Sequence, residues 1–255
     1  MPDLATYFVF PFFLLFARVG SALSVFPGFA DTTVNPRTRM LIALSISMVM
    51  FLPLQASMPA LPDRLAPLLS LLLSEVFMGI LLGLSARMLM SALTMAGELI
   101  AFSIGFQAAS LFDPRSGSQT LAPALFLSTI AILMIFITDL HHQMIEVIYT
   151  SYAAFPPGTW LPIGDVTQAI LQLVENIFVL GVQLAAPMMA IGFLGYMAFG
   201  IFNRIIPQLH AFFLALPITI IVGLMVMSAS LGMMFTIFTD QLSQHLLLFE
   251  LPELP

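Results

Sequence analysis

An all-α integral membrane protein is the fold class this sequence predicts, and three observations carry the prediction. First, 60% of the residues are hydrophobic and only 8% are charged, with a mean hydropathy of +1.06. Soluble domains carry about a quarter charged residues because a folded surface must stay wet, so most of this surface faces lipid or other apolar protein. Second, the apolar runs exceed strand length and are dominated by Leu, Met, Ala and Phe, without the alternating segments of a barrel. Third, 18 prolines are many for simple spans. They are tolerated where neighbouring protein or water satisfies the freed backbone groups, which points to kinked, proline-interrupted helices packed into a larger helical assembly.

The helical segments follow in order. The amino terminus, Met1-Pro2-Asp3, has an acid where a secretory signal has basic residues, so the apolar run Tyr7 to Phe26 reads as a retained first helix. Pro27-Gly28 ends it, and a loop holding Asp31, Asn35-Pro36, Arg37 and Arg39 leads to a second helix, Met40 to Leu54. Arg37 and Arg39 form the one basic pair and place that loop on the cytoplasmic side. A proline-rich connection precedes a third segment, Leu68 to Ala92, and a fourth, Ala96 to Leu111. After a polar loop come Leu121 to Thr138 and the amphipathic stretch His142 to Ala154, closed by Pro156-Pro157-Gly158. The last two segments, Val166 to Phe202 and Leu209 to Phe238, are each interrupted by proline, at Pro187 and Pro217. The longest charge-free stretch, Ile205 to Thr239, would reach ~50 Å as one helix against a hydrocarbon core of ~30 Å. Pro207, Pro217 and Gly223 suggest that it is broken. The segments make one helical domain over 1–249, with an acidic tail from Glu250 to Pro255.

Composition excludes several functions. The net charge of -6 with seven basic residues, all arginine, leaves no basic face for nucleic acid. Without cysteine there is no disulfide, thiolate metal site or cysteine nucleophile. No Walker loop or nucleophile elbow is present, so neither an enzyme nor a cofactor is expected.

Helix packing is better represented. Gly97, Ala101 and Gly105 fall at i, i+4 and i+8, and Gly79 with Gly83 makes a GxxxG pair; such small faces let helix backbones approach closely in lipid. Charges at Arg18, Glu75, Arg87, Glu98, Glu175 and Arg204 lie in or beside apolar segments, where each costs ~3 kcal/mol on insertion scales. They are expected to be buried, paired or at an interface. Arg87 and Glu98, eleven apart, share a helix face. His141-His142 beside Asp139 and Glu146 reads as a polar helix junction. Adjacent histidines project about 100° apart on a helix, His142 and Glu146 are the pair spaced to chelate, and HExxH is absent. Clusters such as Met188-Met189 read as gap filling. The loop from Phe112 to Thr120 is what a helical hairpin requires, with a plug or constriction as its functional alternative.

Four stretches resemble the FliR family in that family's order. They are Pro27-Gly28-Phe29 with Val34-Asn35-Pro36-Arg37-Thr38-Arg39, and Ala96-Gly97-Glu98 running to Gly105-Phe106-Gln107 and Asp113-Pro114-Arg115-Ser116-Gly117. His141-His142 then precedes Ser151-Tyr152 and Phe155-Pro156-Pro157-Gly158. Last come Ala186-Pro187, Asn203-Arg204, Pro207-Gln208-Leu209-His210-Ala211-Phe212-Phe213 and Leu216-Pro217-Ile218. Thr219 stands where that family often has lysine. The resemblance implies a non-enzymatic subunit of the flagellar type III export gate in the bacterial inner membrane and basal body, extending to the periplasmic side. It implies FliP-like and FliQ-like membrane partners, an FlhB-like component and unfolded flagellar substrates. It also implies that Phe106, Gln107, Leu111, Phe112, Asp113, Pro114, Arg115, Ser116 and Gly117 form a channel plug. Injectisome counterparts share the pattern. A secondary transporter is the reading from another class; it needs an internal repeat and charges at the helix breaks, and Glu175 and Arg204 are the nearest charges to Pro187 and Pro217.

Overall fold

The computed structural model describes residues 4–31, 33–107, 121–160, 163–205 and 211–247. Seven α-helices order these residues: α1 Leu4–Leu23, α2 Pro36–Leu54, α3 Leu65–Ser103, α4 Ala122–Ile137, α5 Leu140–Ala154, α6 Ile163–Ile205 and α7 Ala211–Leu247. Among the described residues, four helical stretches are long and apolar enough to cross a membrane, or five if α4 and α5, bent by 71°, count as one. The chain is a multi-pass membrane protein of all-α class. At 39, 43 and 37 residues, α3, α6 and α7 would each measure about 55–65 Å, well beyond the ~30 Å hydrocarbon core.

Local chemistry explains several helix ends. The side chain of Asn35 accepts from the Arg37 amide at 3.0 Å with Pro36 in the first turn. This cap starts α2 four residues before the Met40 expected from hydropathy. α3 ends at Ser103, and the turn that follows passes through Gly105, whose φ of +77° suits a residue without a Cβ. The expected break between Ala92 and Ala96 is absent, because α3 is continuous there. Ala92, Leu93 and Ala96 are fully buried while Ser91 is exposed, so the polar positions fall on an open face. Pro187 and Pro217 also lie inside continuous helices, where interruptions were expected.

The chain divides into two compact units. Unit 1 holds 1–88, 135–173 and 241–255. Its axis is α1, with Leu14, Leu15, Arg18, Val19, Ala22 and Leu23 all fully buried. Phe8 and Phe12 meet the Phe51 ring of α2 at steep angles, with centroids 6.4 and 5.9 Å away. The outer face of α2 stays apolar and open, with Met48, Val49 and Leu52 at least 74% exposed. Unit 2 holds 89–134 and 174–240. Its axis is the end of α3, where Leu93, Ala96, Ile100 and Ala101 are fully buried, joined by Ala124 and Leu127 of α4 and Ala185 and Met188 of α6.

Candidate functional site

In unit 1 the site is a buried ion pair set on a glycine seam. Glu75, Gly79 and Gly83 recur every four residues on α3 and so share one face. That face meets α1. A Cβ on Gly79 would strike the Arg18 carbonyl and the Ser21 hydroxyl. One on Gly83 would lie 2.7 Å from the Val25 Cβ and 2.8 Å from the Ala22 carbonyl. The two glycines thus remove the side chains that would hold α1 off, and dispersion across the close contact replaces the hydrophobic drive that lipid cannot supply.

One turn before Gly79, the pair itself forms. Arg18 donates from Nε to Glu75 Oε2 at 2.8 Å and from Nη2 to Oε1 at 3.0 Å, the two-pronged geometry that strengthens a guanidinium–carboxylate contact. Its remaining nitrogen, Nη1, reaches the Ser151 hydroxyl at 3.1 Å, and Nη2 also reaches the Phe155 carbonyl at 3.0 Å. Tyr152 closes the set: its hydroxyl donates to Glu75 Oε2 at 3.0 Å, and its ring centroid lies 3.8 Å from the guanidinium carbon. Arg18 and Glu75 are both fully buried. A buried charge pair repays its desolvation only with good geometry and satisfied residual donors; here the geometry is two-pronged and Ser151 and Phe155 take up two of the remaining donors. The network fastens α1, α3 and α5 at one register. Its members are separated by 57, 77 and 133 positions, so only the fold brings them together.

Unit 2 contains a second seam, without charge. A Cβ on Gly97 would strike the Ala124 backbone; one on Gly192 of α6 would strike the Ser103 carbonyl; one on Gly223 of α7 would strike the Ile104 side chain. On Gly181 it would lie 3.2 Å from the Ala92 carbonyl. Three helices therefore close on residues 92–104 through glycines. Ala101 is fully buried in this seam, whereas Gly105 belongs to the turn beyond the helix, beside Tyr196 and Leu216. The sequence stripe at 97, 101 and 105 is thus helical only at its first two positions. Gly181 and Gly192 were not singled out from sequence, though their spacing of eleven, about three turns, puts them on one face.

The remaining sequence candidates separate. Arg87, Glu98, Glu175 and Arg204 are exposed, in contrast to Arg18 and Glu75. Of the proposed plug, Phe106 is half-buried and Gln107 exposed; Leu111, Phe112, Asp113, Pro114, Arg115, Ser116 and Gly117 lie outside the described residues. The histidines do not splay as expected from adjacent helical positions. Their rings lie 4.1 Å apart between centroids although both residues belong to α5, so side-chain rotation rather than the backbone brings them together; Asp139 before the helix is left-handed, with φ of 59°. His142 faces Asp139, not the i+4 partner Glu146.

Similarity to known proteins covers the same span as both seams. The family described as bacterial export proteins, family 1, matches residues 9–245. The flagellar biosynthetic protein FliR of Caulobacter vibrioides is 33% identical over 92% of this chain and 94% of its own length. The FliR proteins of Bacillus subtilis and Escherichia coli are 29% and 26% identical over 92% and 83% of this chain, and 92% and 80% of theirs. Arg18 and the glycine seams all fall inside the matched residues, and the chain belongs to the bacterial export proteins of family 1, the FliR family of flagellar biosynthetic proteins.

Proposed function

We propose that this chain is a non-enzymatic subunit of the flagellar type III export gate, helping to form and close the path taken by unfolded flagellar substrates. The family match running through residues 9–245 carries the proposal. The helices are consistent with it. Glycine seams fix the interior of each unit, while α2 and α6 keep open apolar faces, including Met48, Val49, Phe193, Leu194 and Met197. Apolar helix faces of this kind suit neighbouring membrane helices of FliP-like and FliQ-like subunits, with an FlhB-like component beside them, in the inner membrane at the basal body. Helices longer than the hydrocarbon core suit an assembly that extends to the periplasmic side. In this reading the loop from Phe106 through Gly117 is the plug, Gly79, Gly83, Gly97, Ala101 and Gly105 serve packing, and Arg87, Glu98, Glu175 and Arg204 meet partner subunits.

The test has two arms. Purification of a tagged copy in mild detergent should recover the partner membrane proteins, and recovery of a well-behaved monomer alone would refute the gate. Shortening 112–118 should leave assembly intact but make the membrane leaky to small solutes. A tight membrane with normal export would remove the plug assignment while leaving the gate.

A further inference from the structure

We propose that Asp139, His141 and His142 form a binding site for a divalent transition cation of the Zn2+ class, at the bend between α4 and α5. Among the described residues, one group of three metal-ligating side chains converges, and it is this one: one donor atom from each lies within 4.8 Å of the others. The backbone brings the carboxylate to the imidazoles. Asp139 is the one described non-glycine residue with positive φ. Aspartate enters that region more readily than most residues, but glycine is more comfortable there. The turn folds the carboxylate back beside the first turn of α5, where both imidazoles stand.

The Asp139–His142 separation suits a shared cation better than a direct bond. Asp139 Oδ1 and His142 Nδ1 are 3.4 Å apart. A charge-assisted hydrogen bond closes to about 2.7–2.9 Å. Two ligands on a tetrahedral Zn2+, with bonds of ~2.0–2.1 Å, stand ~3.3 Å apart along the tetrahedron edge. His141 turns Nδ1 toward the Ile135 carbonyl in the last turn of α4, a long contact at 3.4 Å that would shorten as the ring settles on an ion. A metal-bound imidazole commonly directs its other nitrogen to a backbone carbonyl, which leaves Nε2 of His141 as the ligand atom. The Asp139 and His142 side chains are 74% and 71% exposed, so a hydrated cation can enter and keep water in the fourth position. Two imidazoles and one carboxylate favour borderline cations over Mg2+ or Ca2+, which prefer all-oxygen shells. A cation held by Asp139 before α5 and by both histidines in its first turn would clip the α4–α5 bend at its apex.

The experiment uses the full chain in detergent, without a polyhistidine tag and stripped with chelator, titrated with Co2+ and then Zn2+. One equivalent of Co2+ should bind with the visible absorption of a four- or five-coordinate site, and Zn2+ should displace it. His142→Ala and Asp139→Gly should each weaken binding at least tenfold. The glycine variant relieves the left-handed backbone and so keeps the fold, checked by circular dichroism and gel filtration. Glu146→Gln should bind like the parent. Absent or substoichiometric binding, a hexa-aqua spectrum, equal binding by the variants, or an equal loss in Glu146→Gln would each overturn the site.

Discussion

The two units solve the same packing problem with different chemistry. In each, one helical stretch is enclosed and its neighbours reach it through glycines. Unit 1 adds a buried charge network to its seam: Arg18 and Glu75 are fully buried, with Tyr152, Ser151 and the Phe155 carbonyl completing their bonds. Unit 2 adds none among its described residues; its acidic groups Glu98 and Glu175 are exposed. A glycine seam permits close approach but is tolerant of sliding by one turn, since small residues at i and i+4 present nearly the same surface. An ion pair is not tolerant, because a slip of one turn leaves a charge without its partner. The contrast suggests that unit 1 is held to a single register, while unit 2 is held by shape alone.

The largest effect should come from halving the charge pair. Glu75→Ala leaves Arg18 buried without its carboxylate, at a cost of about 3–5 kcal/mol, read as a lower midpoint in mixed-micelle unfolding. The double variant Arg18→Met with Glu75→Leu should recover most of that loss, because apolar replacement of a buried pair is often neutral. If the pair serves register, the double variant will be stable yet fail to co-purify normally with its partners. A double variant with both stability and assembly intact would reduce the network to a dispensable contact and erase the difference between the units.

Smaller effects are expected in the uncharged seam, and they should be graded by what stands in the way. Gly97→Val and Gly192→Val push against backbone, of Ala124 and Ser103 respectively, and overpacking of this kind costs about 1–3 kcal/mol. Gly223→Ala meets Ile104 at Cγ2 and at Cβ; the Cβ is fixed to the backbone, so α7 must shift, but alanine adds a single methyl and its midpoint should fall less than with valine. Equal losses at all three positions would mean that unit 2 is as strictly registered as unit 1.

How much of this was legible in the sequence follows from the range of each interaction. The fold class was, because hydropathy is a local sum. The spacing of Gly79 and Gly83 is also local to one helix and so visible, but the α1 surface it meets is not. The cap at Asn35-Pro36 was visible as a loop signal but was read as the loop rather than as the start of α2. The partnership of Arg18 with Glu75 was not legible: both were marked as costly charges, but nothing within 57 positions of chain names the partner. Nor was the sorting of charges into buried and exposed. Arg18 and Arg87 sit in equally apolar surroundings along the chain, and only the neighbours brought by folding differ. The convergence of Asp139 with His141 and His142 was hidden because helical spacing fixes only where side chains leave the backbone, and it says nothing of the left-handed Asp139 that turns its carboxylate toward the first turn of α5.

The smallest effect on the chain itself should come from its exposed acids, and it bears on what unit 2 lacks. Glu98 and Glu175 lie on open helix faces in a chain whose exposed surface is rich in large apolar side chains. An uncompensated carboxylate facing lipid costs free energy in every copy, so retaining two such groups makes sense where another subunit or water meets them in the assembly. Glu98→Gln and Glu175→Gln should therefore leave the unfolding midpoint in detergent unchanged, unlike Glu75→Ala, and lower the recovery of partner subunits. A fall in midpoint comparable to that of Glu75→Ala would instead place these carboxylates in internal networks of their own. In that case unit 2 would also be registered by charge. If neither readout moved, the exposed acids would have no part in assembly, and the glycines at 97, 192 and 223 would be left as the whole of what orders that unit.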